Sequence, residues 1–100
     1  MRARDHLHKA LLLLDRGRTE RAEQVLVDTV TAARSEPDPV TLVTALACQG
    51  ELLAAQNRPR EAARTLRECL AVEVPPDLDD ACAEPRTQAT TLLASLPTPS

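Results

Sequence analysis

Two histidines, three cysteines and one cluster of acids are the side chains of this sequence with metal-binding or nucleophilic potential. His6 and His8 stand two residues apart, and on a helix that spacing points them in different directions, so they cannot chelate one metal ion. His6 falls on the inner stripe of its segment, in the position Leu46 takes later, and His8 is solvated. Cys48, Cys69 and Cys82 cannot all pair, and neither a CxxC nor a Cys/His metal spacing occurs. Cys69 sits at a tight-packing position and reads as a buried, inert thiol. Cys48 and Cys82 have no neighbouring histidine or basic residue in sequence to favour a thiolate, which leaves open only partners distant in the chain.

The stretch "DLDDACAE" gathers Asp77, Asp79, Asp80 and Glu84. It lacks the glycine of a calcium loop, so it reads as a solvated acidic loop in which Asp79 or Asp80 caps a helix. No nucleophile–base pair, glycine-rich phosphate loop or dinucleotide fingerprint is present. The expectation is a protein with no enzymatic activity, no cofactor and no metal.

One hundred residues make one modest domain, long enough for a core without staples. The chain is 43% hydrophobic yet has no Phe, Tyr or Trp, so that core must be Leu, Val and Ala, which favours packed helices over strands. The absence of aromatic rings also argues against single-stranded nucleic acid as a partner. A net charge of -3, with arginines dispersed among acids, gives no polyanion-binding signal. The apolar run Ala10 to Leu14 is too short for a signal peptide or a membrane span, and Asp15 and Arg16 close it. A soluble, reducing, cytoplasmic setting is expected.

Helical spacing then supplies the elements. Ala3, Leu7, Ala10, Leu11 and Leu14 form one stripe, and Gly17 stops it. Thr19 is placed to cap a second segment striped by Ala22, Leu26, Val30 and Ala33. Asp38 and Pro39 open a third, which runs through Val43, Leu46, Ala47, Gly50, Leu53 and Ala54 until Asn57 takes a left-handed cap. Pro59 starts a fourth at once, because its missing N–H costs nothing at the first helical position. Ala62, Leu66, Cys69 and Leu70 are its inner stripe. Leu92, Leu93 and Leu96 mark a fifth, with Pro85 expected in its first turn, before the tail 97–100 frays.

The two tight turns repeat at an interval of 40: Gly17 with Asn57, Ala22 with Ala62, Leu26 with Leu66 and Val30 with Leu70. Leu13, Leu53 and Leu93 continue the register, so the fifth helix reads as the first half of a third unit. Gly50, Asn57, "REAA" at Arg60 to Ala63, and Cys69-Leu70 resemble a tetratricopeptide repeat; the first unit matches more loosely through Ala10, Gly17, Ala22 and Thr29-Val30. The chain departs from that family in having His6, Leu13 and Thr19 where aromatic residues are usual, and in a period longer than about 34. The resemblance implies an all-α domain over 1–96, arranged as a right-handed array. Its parts would be a hairpin over 3–35, a hairpin over 39–74 and a C-terminal capping helix over about 79–96.

By the same resemblance, the first helix of each hairpin lines a concave groove that receives a partner. Arg4, Leu7, Leu11, Leu14, Thr44, Ala47, Glu51 and Thr87 occupy groove positions in this register. Leu7, Leu11, Ala47 and Glu51 replace the basic and amide residues with which family members clamp a terminal carboxylate. The groove therefore suits a helix or extended segment of another protein, unless its leucines simply pack within the array. An adaptor or scaffold for another protein is the expected function. The alternative is a self-associating assembly component that forms homo-oligomers.

Overall fold

The computed structural model describes residues 1–97, so of the expected tail only Pro97 can be compared; 98–100 lie outside the described residues. Helix α1 (Ala3–Asp15) is followed by α2 (Thr19–Ser35), α3 (Pro39–Ala55), α4 (Pro59–Ala71), a 3₁₀ turn (Pro76–Leu78) and α5 (Asp79–Ser95). The all-helical expectation is met: no strand occurs among the described residues.

The turns follow from local chemistry. Among the described residues Gly17 and Asn57 are the two with positive φ, +71° and +63°, and each ends a helix in the left-handed conformation that glycine and asparagine tolerate best. The carboxylate of Asp38 accepts from both the backbone N–H and the hydroxyl of Thr41, closing the first turn of α3 over Pro39. Three expected details differ. Thr19 is the first residue of α2 rather than its cap, and Arg18 takes the cap position without a side-chain bond. Neither Asp79 nor Asp80 caps α5, whose cap residue is Leu78. Pro85 lies inside α5, beyond its first turn, because the 3₁₀ turn lets the helix begin at Asp79.

Helix α3 contacts each of the other four helices. Its sequence explains the position: no charged residue occurs between Asp38 and Glu51, so no residue of that stretch is exposed. Thr41, Val43, Ala45, Leu46, Ala47 and Gly50 are buried in it. Antiparallel pairing is fixed by named contacts. The backbone N–H of Ala3 donates to Glu36 at the far end of α2, and the Cys69 thiol donates to the Val43 carbonyl at 3.3 Å. Helices α2 and α4 run side by side, with Glu23 facing Arg58 at one end and Arg34 facing Glu68 at the other. An exposed pair such as Arg34–Glu68 orients more than it stabilises.

Burial repeats at the interval of 40. Ala3 and Val43, Leu7 and Ala47, Ala10 and Gly50, Ala22 and Ala62, Leu26 and Leu66, and Thr29 and Cys69 are all buried. The repeat slips by one residue in α5, where Cys82 and Ala89 are buried, 39 residues after Val43 and Gly50. The longer connection through the 3₁₀ turn sets that register independently of the first two units. Leu13, Leu53 and Leu93 are half-buried, not core. Leu70 is 37% exposed because no further even-numbered helix covers it, as the second unit covers Val30.

Candidate functional site

The eight residues expected to line a groove divide into core and surface. Leu7 is packed with Ala10, Val25, Leu26 and Ala45, and Ala47 with Val43, Leu46 and Leu66. Both are buried and offer no docking surface. Arg4, Glu51 and Thr87 are exposed, Thr44 and Leu14 are half-buried, and Leu11 is 41% exposed. Of the leucines expected to form an apolar floor, Leu11 and half-buried Leu14 reach the surface and Leu7 does not. The threonine hydroxyl of Thr44 is spent on the Val40 carbonyl, so that position is less polar than its type.

At the other end of this row, Gln88 of α5 donates to the Glu51 carboxylate of α3. Sequence reasoning passed over Gln88. The slip of register in α5 carries the position equivalent to Ala47 to Arg86 instead of Thr87, and Arg86 bonds Asp79 and the Val72 carbonyl. The row therefore changes character along its length, apolar at α1 and polar at α5.

A separate cleft of about 340 Å³ lies between α2, α3 and α4. Val27, Leu52 and Leu53 give it apolar walls, and Glu23 and Arg58 stand at its rim. Glu23 Oε1 is buried without a hydrogen-bond partner, 3.8 Å from Arg58 Nη1. The clue in the sequence was Leu52 beside Leu53: two adjacent leucines on a helix cannot both face the same neighbour.

The thiols are chemically quiet. Burial pushes Cys48 up to about 11, and the Glu51 carboxylate and Cys69 add to the shift. Burial also raises Cys69 and Cys82, and in both cases it outweighs the lowering effect of Arg86. Arg86 stands one turn after Cys82, a basic neighbour that the sequence reading discounted. His6 is half-buried and His8 exposed. Among the described residues no three of His, Cys, Asp and Glu come together as a metal group, and no helix is long and apolar enough to cross a membrane. Compared with known proteins, the chain matches no family model, no curated protein and no solved structure.

Proposed function

We propose that the chain is a tetratricopeptide-like, non-enzymatic interaction module of the cytoplasm that holds a helix or extended segment of another protein. The segment lies along α1 and α3, with its apolar side on Leu11 and Leu14 and its polar side toward Glu51 and Gln88. The supporting observation is the contrast between the two ends of the helix stack. The outward residues of α5 are small or polar (Thr87, Gln88, Thr90, Thr91), whereas α1 leaves Leu11 and Leu12 41% and 54% exposed. Large apolar side chains gathered on one helix mark an interaction surface better than scattered ones. The recurrence of buried small residues at Ala10 and Gly50 supports the family reading.

The test is partner capture from the native cell with the wild-type chain and Leu11→Asp in parallel. Leu11→Asp keeps its helical circular dichroism and loses the captured protein. A folded variant that captures the same protein undiminished overturns the groove.

A further inference from the structure

Arg60, Arg64 and Arg67 of α4 are exposed and make no ion pair among the described residues. Intervals of four and three place them on one helix face, a ridge about 10 Å long. The two carboxylates of α4 are engaged with other arginines. Glu61 accepts from Arg58, and Glu68, one turn beyond Arg64, accepts instead from Arg34 of α2 at 3.2 Å. Like charges at these intervals weaken a helix, and no contact on the ridge offsets the repulsion.

A second stripe mirrors the first. Asp80 and Glu84 of α5 are exposed, stand four residues apart as Arg60 and Arg64 do, and make no ion pair among the described residues, and exposed Asp77 in the preceding 3₁₀ turn makes none either; Asp79 takes the Arg86 contact. Equal spacings come into register when two helices lie antiparallel. Arg60 then meets Glu84 and Arg64 meets Asp80, with Ala63 opposite Ala81, and Arg67 falls toward the 3₁₀ turn that carries Asp77. Within one molecule this register is closed. There α4 and α5 already pack with Arg86 beside Val72, and Arg60 shares a hollow with Pro97.

We propose that the arginine ridge docks a second copy of this chain, with Arg60 and Arg64 laid antiparallel on Glu84 and Asp80 of that copy and Arg67 toward its Asp77. The association is independent of the α1–α3 groove. Its contacts are charged and exposed, so it is weak, rapidly reversible and sensitive to salt. A nucleic acid is a poorer occupant, since the chain has a net charge of -3 and no aromatic side chain to stack a base.

Sedimentation equilibrium at low and high salt tests the proposal. The wild-type chain moves toward twice the monomer mass as its concentration rises at low salt, and returns to monomer at high salt. Arg64→Glu and Asp80→Arg each weaken association about tenfold or more, by setting like charges together. An equal mixture of the two variants recovers wild-type association, because the introduced carboxylate of one then faces the introduced guanidinium of the other. Both positions are exposed, and circular dichroism checks that the helices persist; the facing pair Arg60→Glu and Glu84→Arg replaces Arg64→Glu and Asp80→Arg if α5 does not tolerate a cation in its first turn. A wild-type chain that stays monomeric, or a mixture that does not recover, overturns the proposal. A monomer that binds polyglutamate or duplex DNA through Arg64 overturns it too, by giving the ridge another occupant.

Discussion

A Cβ on Gly50 would lie 2.3 Å from Cδ2 and 2.6 Å from Cγ of Leu66, so α3 and α4 touch where glycine alone fits. Leu66 is fully buried and cannot swing away. Overpacking typically costs about 1–3 kcal/mol, and alanine's helix advantage over glycine returns at most about 1 kcal/mol. Gly50→Ala is therefore expected to lose about 1–2 kcal/mol in urea denaturation. Leu66→Ala alone costs about 2–5 kcal/mol, but in that background Gly50→Ala becomes stabilising because the obstruction is gone. Simple additivity of the two would mean that the helices are not in contact there.

Gly17 offers the opposite case. Nothing lies within 4 Å of a Cβ built on it, yet its φ is +71°. Gly17→Ala is expected to cost about 1–2 kcal/mol from backbone strain alone, with no dependence on any neighbouring side chain. In the equivalent turn Pro59 opens α4, so Pro59→Ala changes stability by less than about 1 kcal/mol. A large loss there would assign Pro59 a packing role that its position at the first helical residue does not explain.

Asp38 holds the entry to the most buried helix through two bonds to Thr41, the shorter 2.7 Å. Asp38→Ala is expected to cost about 1 kcal/mol, and Asp38→Asn less, since an amide oxygen still accepts from the Thr41 N–H. Hydrogen exchange localises the effect: the first-turn amides of α3 should lose protection before those of α4. Equal losses throughout would mean that the cap acts only on global stability.

Helix punctuation was legible in the sequence where one residue type fixes the backbone, and not where a side-chain cap was expected at Thr19, Asp79 or Asp80. Gly17, Asn57, Pro59 and the Asp38–Pro39 pair each dictate backbone geometry within a turn, and each does so in the structure. Positions that depend on neighbouring layers were less legible. Leu7 and Leu11 look alike in a stripe of helical period, yet Leu7 packs against Leu26 and Ala45 while Leu11 meets solvent. The interval of 40 overran its validity at α5, where a 3₁₀ turn that no periodicity encodes displaced the register by one residue. The arginine ridge was hidden for a related reason. Along the chain Arg64 and Glu68 look balanced, and only the pairing of Glu68 with Arg34 leaves Arg64 alone.

Cys48 allows a test of burial through proton chemistry. Burial is the largest cause of its rise from 9.0 to about 11, followed by the Glu51 carboxylate. At pH 8 its thiolate is scarcer than that of an ordinary thiol, and its greater intrinsic nucleophilicity offsets only part of this, so iodoacetamide should modify it at least about tenfold more slowly in the folded chain. Glu51→Gln should recover only a small part of that rate, since the charge is the lesser cause. Linkage fixes the direction for stability. An unfolded chain releases the proton near 9 while the folded one holds it to about 11, so the contribution is whole below pH 9 and is lost as pH rises toward 11. Cys48→Ala should flatten that part of the stability profile, leaving the share due to Cys69 and Cys82, which shift in the same direction. Mass spectrometry of the alkylated chain separates the three sites. Rapid modification of Cys48 at pH 8 in fully folded protein would mean that the helix contact around it opens far more readily than its packing against the cluster of Leu7, Ala10, Val25, Leu26 and Ala45 allows.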